Sequence, residues 1–267
     1  MINNKEITAK NSRKSIPMLW IAPYTEKIFT GSAMIRRNFL DKLVNIFDSD
    51  HSVRLNEYDK NMKQRNLILV RHGQSEWNEK NLFTGWENPG LTQKGEKEAK
   101  DAGKIINGLG INFDYLYTSA LIRAQLTGSI ILSEINQKNV NTIENKALNE
   151  RFYGDLQGLN KDECRKKWGD EKVQMWRRSY DQGPPGGETL KQTGERVVPY
   201  FREEIEPLVK NGSNILIAAH GNSLRSLIKF LDDVTDEDIV KLEIPTGAPI
   251  HYVFDSNGKV MQRNNLF

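Results

Sequence analysis

Two short apolar runs, each ending in a histidine and a glycine, constrain the fold of this chain more than any other feature. Leu67-Ile68-Leu69-Val70 runs into Arg71-His72-Gly73, and Ile215-Leu216-Ile217-Ala218-Ala219 runs into His220-Gly221-Asn222. Neither run alternates polar and apolar residues, so each reads as a buried strand. From residue 66 onward the pattern is strand, then helix, repeated. Strands are predicted over 67–70, 113–117, 214–219 and 250–254, the last followed by a Ser256-Asn257-Gly258 turn. Helices are predicted over 94–106, capped by Thr92 and ended by Gly108 and Gly110, and over 120–132, 162–179, 190–210 and 223–231. Gly183-Pro184-Pro185-Gly186-Gly187 is a loop by composition. The alternation predicts an α/β fold, a three-layer α/β/α sandwich with a mostly parallel central sheet. In such sheets ligands sit at the carboxyl ends of the strands, where both His-Gly pairs fall.

The net charge of +3 is carried by residues 1–61, with ten Lys/Arg against seven Asp/Glu; residues 62–267 hold 28 of each sign. The main body therefore offers no bulk positive charge for a nucleic acid, and anion binding must come from local clusters. No run of 18 apolar residues is present, so no membrane span is expected. The single cysteine, Cys164, has no partner for a disulfide or a zinc site and reads as incidental. Residues 1–61 carry no chemical motif beyond an amphipathic spacing of Ile35, Phe39, Leu43 and Phe47 within 34–47. They read as a dispensable extension or a misplaced translation start at a chain whose catalytic domain is 62–267; an organelle-targeting or docking segment is the alternative. The cytoplasm is the default location.

His72 is the candidate nucleophile. A neutral imidazole can attack phosphorus and hold the phosphoryl group, dividing one transfer into two steps. The developing charge needs fixed cations, and Arg71 and Arg123 fall at the same sheet edge. Two of the four histidines share this arrangement; His51 and His251 do not and read as structural or solvent-facing. Arg177-Arg178 form a cationic pair able to grip carboxylate or phosphate, or a solvated helix face. Lys161 and Thr84-Gly85 are weaker candidates of the same kind. An oxygen leaving phosphorus must be protonated, which calls for a general acid; Glu150 is the candidate, but as one of 35 Asp and Glu residues it carries no signal apart from the resemblance that follows.

Longer strings sharpen this reading. Arg71-His72-Gly73-Gln74-Ser75-Glu76-Trp77-Asn78, Asn81-Leu82-Phe83-Thr84-Gly85-Trp86, Leu148-Asn149-Glu150-Arg151-Phe152-Tyr153-Gly154 continuing to Lys161, Trp176-Arg177-Arg178, and Ala218-Ala219-His220-Gly221-Asn222-Ser223-Leu224-Arg225 stand in this order, with Ile244-Pro245-Thr246-Gly247 near the end. Together they resemble the 2,3-bisphosphoglycerate-dependent phosphoglycerate mutases of the histidine phosphatase superfamily, from about 67 to 254. The resemblance implies that His72 takes the phosphoryl group, Glu150 acts as acid and then base, and His220 supports the transferring group. It places Arg71, Gly73, Gln74, Ser75, Asn78, Arg123, Gly221 and Asn222 around the phosphate. Thr84, Gly85, Arg151, Phe152, Tyr153, Lys161, Arg177 and Arg178 would hold the rest of the substrate. The implied reaction interconverts 3-phosphoglycerate and 2-phosphoglycerate in glycolysis and gluconeogenesis, primed by 2,3-bisphosphoglycerate and using no metal. Small phosphoglycerates are the partners it implies, with a homodimer or homotetramer as the assembly.

This chain departs from the long members of that family. Its segment 180–189 is short, and it ends at Phe267 without their mobile tail. Weaker closure admits water, and water attack on phosphohistidine is phosphatase activity. A phosphatase, or a bias toward bisphosphoglycerate synthesis, is therefore the competing enzymatic reading. A non-catalytic binding module would predict loss of His72, Glu150 or His220, and all three are present.

Overall fold

In the computed structural model of the chain, residues 65–267 are described; the extension 1–61, its expected helix and His51 lie outside the described residues. Four strands run parallel, β1 (Arg65–Arg71), β2 (Tyr115–Thr118), β3 (Asn141–Glu144) and β4 (Ile215–Ala219). β5 (Pro249–Phe254) joins β1 antiparallel, and β6 (Val260–Asn265) closes a hairpin with β5. The order across the sheet is β3-β2-β4-β1-β5-β6. The sandwich is thus mostly parallel, as expected, with an antiparallel edge.

Strand geometry sends successive side chains to opposite faces, which divides each apolar run between two layers. Leu67, Leu69, Ile215 and Ile217 meet Val197, Phe201 and Leu224 on one face. Ile68, Val70, Leu216 and Ala218 meet Ala102, Ile106 and Ile131 on the other. Each fully buried large aliphatic side chain contributes about 1.5–3 kcal/mol, which explains why these runs tolerate no polar residue. Helix α2 (Gln93–Asn107), which follows β1, lies on the second face, and α8 (Gly221–Leu231), which follows β4, lies on the first. Adjacent strands whose helices leave to opposite sides open a crevice at their carboxyl ends.

The remaining helices are α1 (Glu76–Glu79), α3 (Ile122–Glu134), α4 (Lys161–Trp168), α5 (Asp170–Arg178), α6 (Leu190–Tyr200), α7 (Glu206–Lys210) and α9 (Asp236–Ile239). Several expected boundaries moved for identifiable reasons. The region 162–179 is two helices, because Gly169 sits at φ +86° between them. The region 190–210 is interrupted by a π-helical turn, Phe201–Ile205. Pro207 has no N–H for the turn before it, and the Glu206 N–H bonds the Phe201 carbonyl five residues back. The second strand starts at Tyr115 rather than 113, since the Phe113 N–H is taken by Gln137 Oε1 at 2.8 Å. The 250–254 strand is not the last: the expected turn at 256–258 leads into β6. Strand β3 was not expected from sequence; its residues are largely exposed at the sheet edge and lack an apolar signal.

A third apolar cluster, Phe83, Leu156, Cys164, Val173 and Trp176, joins α4 and α5 to the loops above the sheet edge. Cys164 is buried there as a small core residue. Among the described residues, no helix is long and apolar enough to cross a membrane.

Candidate active site

The β1–β4 register pairs Arg71 with Ala219, so His72 and His220 emerge side by side, and the His72 N–H is held by the Ala219 carbonyl at 2.9 Å. Their rings lie 4.9 Å apart between centroids. His72 Nδ1 is 2.7 Å from the Gly73 carbonyl. A carbonyl only accepts, so the proton resides on Nδ1 and Nε2 keeps its lone pair. Burial first, then Arg123 and Arg71, hold His72 well below the ordinary imidazole range, so it is neutral near pH 7. His220 is depressed in the same way, with burial again the largest cause. Its Nε2 is 2.7 Å from Ser119 Oγ, while Nδ1 is buried without a partner.

The turn after His72 requires glycine. A Cβ on Gly73 would come within 2.2 Å of the Gly95 carbonyl, and one on Gly95 within 2.1 Å of the Gln74 carbonyl. Two bare backbones therefore bring the start of α2 against the histidine loop. Thr127 Oγ1 accepts from the Gly73 N–H at 3.1 Å. Ser75 caps α1 in reciprocal bonds with Asn78, which fixes Asn78 at the cavity wall. The Gln74 backbone and side chain are occupied by Glu98 and Thr92.

Arg71 and Arg123 use their terminal nitrogens on loop carbonyls. Arg71 Nη1 donates to Ile244 O at 2.7 Å, and Arg123 donates to Glu87 O and Gly85 O at 2.8 Å each. Their Nε atoms are buried without partners. Burial lowers Arg123 to about 10, which leaves it charged at neutral pH. Both side chains line one cavity with His72. Unpartnered buried donors beside a neutral histidine form a site for a tetrahedral anion.

Glu150 lines the same cavity, carried by a separate loop. Its Oε1 accepts from the Arg151 N–H (2.7 Å), the Asn222 N–H (3.2 Å) and Asn222 Nδ2 (2.8 Å). The loop that carries it is held by side chains. Trp86 Nε1 donates to Glu150 O at 2.6 Å. Arg196, on α6, donates to the carbonyls of Ala147, Asn149 and Glu150 and pairs with Glu188, which in turn accepts from the Phe152 N–H. Burial alone would raise the Glu188 carboxyl; Arg196 and the Phe152 N–H bring it below its ordinary value.

A second group of cations, Lys161, Arg177 and Arg178, lines the same cavity. Burial lowers Lys161 and Arg177. The Arg178 Nη1 and the Thr84 hydroxyl are buried without partners. Tyr153 stands between the two groups, accepting from Arg151 and Asn222. Burial would raise its phenol, but Arg151 brings it below its ordinary value.

The structure thus gathers Arg71, His72, Asn78, Thr84, Gly85, Arg123, Glu150, Tyr153, Lys161, Arg177, Arg178, Gly221 and Asn222 around one cavity. Gly73, Gln74, Ser75, Arg151, Phe152 and His220 stand behind that wall. Arg151 is fully buried and ties Tyr153 to the Arg177 carbonyl; Phe152 packs edge-on against Trp86. His251 is structural, buried with Nε2 at 2.8 Å from Asn66 Oδ1. Sequence reasoning missed Leu82, Phe83, Arg225 and Glu243 in the lining. Arg225 had a signal: it follows Asn222 by three positions in a helix and so shares its face. Glu243 had none. Arg196 and Glu188 also had none, since their work is done in space and not in spacing.

The family model of the histidine phosphatase superfamily (branch 1) matches residues 67–266. A 2,3-bisphosphoglycerate-dependent phosphoglycerate mutase of Parvibaculum lavamentivorans is 60% identical over 200 residues, covering 75% of this chain and 95% of that protein. One of Brucella anthropi is 55% identical over 202 residues, covering 76% and 98%. Among solved structures, Mycobacterial hydrolase 1 matches with a TM-score of 0.65 at 19% identity over 75% of this chain and 97% of that one, a likeness of fold alone.

Proposed function

The chain belongs to the histidine phosphatase superfamily and, within it, to the 2,3-bisphosphoglycerate-dependent phosphoglycerate mutases, and we propose that it interconverts 3-phosphoglycerate and 2-phosphoglycerate in glycolysis and gluconeogenesis. The observation that carries this reading is a neutral histidine inside one anion-binding group, with a second anion-binding group lining the same cavity. A simple phosphatase needs the first group; a substrate with both a phosphate and a carboxylate uses the second as well.

The residue roles follow as part of the proposal. His72 Nε2 attacks phosphorus, forming the N–P bond as the bond from phosphorus to the substrate oxygen breaks. Glu150 gives that oxygen its proton. In the return step Glu150 takes the proton of the accepting hydroxyl, that oxygen attacks phosphorus, and the N–P bond breaks. Arg71, Arg123, Asn78 and Asn222 surround the transferring group, with His220 supporting it from behind that lining, and fixed donors of this kind stabilise its charge without reorganising. Lys161, Arg177, Arg178, Thr84 and Gly85 hold the remaining anion and so choose which hydroxyl faces phosphorus. Arg151 and Phe152 position the acid loop; Gly73, Gln74 and Ser75 position His72 and Asn78. The buried, unpartnered donors of Arg71, Arg123, Arg178 and Thr84 fit a bisphosphorylated glycerate at both ends. 2,3-bisphosphoglycerate supplies the phosphoryl group that primes His72. On this reading the enzyme works in the cytoplasm as a homodimer or homotetramer, and arginines supply the positive charge.

The test is a coupled assay of the purified full chain with 3-phosphoglycerate, with and without 2,3-bisphosphoglycerate, while free phosphate is followed. Primer-dependent 2-phosphoglycerate with little phosphate is the expected result. Phosphate release without isomerisation would replace the mutase with a phosphatase.

A further inference from the structure

One carboxylate in the cavity has no role in the chemistry above. Glu243 lies in the loop between α9 and β5, and its side chain is 66% exposed at the cavity wall. Its neighbours are fixed by two of the site's own cations: Arg225 Nε donates to Leu242 O and Arg71 Nη1 to Ile244 O, both at 2.7 Å. The carboxylate therefore projects from a fixed backbone. Glu243 Oε1 accepts from Arg178 Nη2, and Oε2 lies 3.6 Å from Arg225 Nη2. Arg178 Nη1, on the same guanidinium, is buried with no partner. One edge of Arg178 is thus occupied by an internal anion, and the other remains for an external one.

Building on the mutase reading, we propose that Glu243 is an internal counter-anion: it competes with the substrate's second anionic group for Arg178 and sets how tightly the cavity holds phosphoglycerates. Without it, Arg177, Arg178 and Arg225 would face one another as like charges whenever the site is free. Burial lowers Arg225, and Glu243 is among the anionic groups that favour its charged form. With ligand bound, the same carboxylate repels it. That repulsion limits affinity in a cavity where the glycerate must be released and turned between the two transfers. A clamp made of cations alone would hold one orientation too firmly.

The experiment is calorimetric titration of inorganic sulfate into the full chain, the Glu243→Gln variant and the Glu243→Asp variant. Sulfate needs no turnover, so the result stands whether or not the protein proves to be a mutase. Glu243→Gln removes the charge from an exposed side chain and should tighten sulfate binding by roughly 1.4- to 5-fold, the span of an exposed ion pair. Glu243→Asp keeps the charge and should stay close to the native value. In the mutase assay the glutamine variant should show a lower KM for 3-phosphoglycerate. Unchanged sulfate affinity in Glu243→Gln would overturn the proposal. Weaker binding would do so too, by showing that Glu243 orients Arg178 for the ligand. Equal tightening in both variants would show that charge is not the cause.

Discussion

The two walls of the cavity are built in different ways. On the histidine wall, main-chain geometry does the positioning. β1 and β4 pair in register, His72 follows the last paired residue, and a glycine–glycine approach fixes the turn beyond it. On the Glu150 wall, no strand or helix carries the acid. Its loop hangs from Trp86 and Arg196, which lie 64 and 46 residues away in the chain. The first wall is rigid because the sheet is rigid. The second is only as rigid as a handful of side-chain bonds, and these can be cut one at a time.

The largest effect should come from the first wall. His72→Ala removes the proposed nucleophile, and kcat should fall by on the order of 10⁴-fold or more. No labelled protein should form from radiolabelled 2,3-bisphosphoglycerate; label on this variant would refute the role of His72. Glu150→Gln leaves the histidine wall whole and removes one proton transfer, so a loss of about 10²–10⁴-fold in kcat is expected. Label should still accumulate on that variant, slowly. A folded Glu150→Gln protein with near-native turnover would remove the carboxylate from the mechanism.

The same contrast explains what the sequence disclosed. The histidine wall was legible because its main parts leave a local mark, an apolar run for each strand and a histidine and glycine at each strand end; Ser75 and Asn222 came only with the resemblance. The three layers were legible for that reason too, although β3 and β6, exposed edge strands, were not. The acid loop was legible only through its resemblance to a known family. Nothing in the spacing of Arg196 and Glu188 connects them to residues 147–152, because the connection is made by α6 lying alongside the loop. Arg151 shows the intermediate case: expected to touch substrate, it is fully buried and bonded to Tyr153 and the Arg177 carbonyl.

Arg196 is therefore the place to weaken the second wall alone. Arg196→Ala removes the guanidinium that donates to the carbonyls of Ala147 and Asn149, leaves Glu150 O to Trp86 alone and takes the ion-pair partner from Glu188, which keeps the Phe152 N–H. Unmade buried bonds cost about 1–3 kcal/mol, and a loosened acid should lower kcat roughly 10- to 100-fold. Lysine should not restore it, since one ammonium cannot span three carbonyls and a carboxylate as a planar guanidinium does. The lifetime of the phosphohistidine on its own should be unchanged. A variant whose phosphoenzyme decays faster as kcat falls would show that the walls are coupled.

Acid should separate the walls more gently. His72 and His220 are held neutral, with folded values well below the unfolded value of 6.5. Below pH 6.5 the unfolded chain binds protons that the folded protein refuses. Folding therefore loses free energy as the pH falls, until the folded values are reached. The slope is at most about 1.4 kcal/mol per pH unit for each histidine. Glu188 is also lowered, but a carboxylate contributes stability that is present above its unfolded value, about 4.3, and lost only as pH falls through its lower folded value. The histidine wall should therefore soften first, between about pH 6.5 and 5, and the acid-loop anchor later. Denaturant titrations across pH 7.5 to 4 should show this early loss in the native protein and a shallower one in His72→Gln, which cannot take up the proton. Equal early slopes in both would mean that His72 is not held neutral by its wall, and the difference in construction between the two sides would then have no electrostatic counterpart.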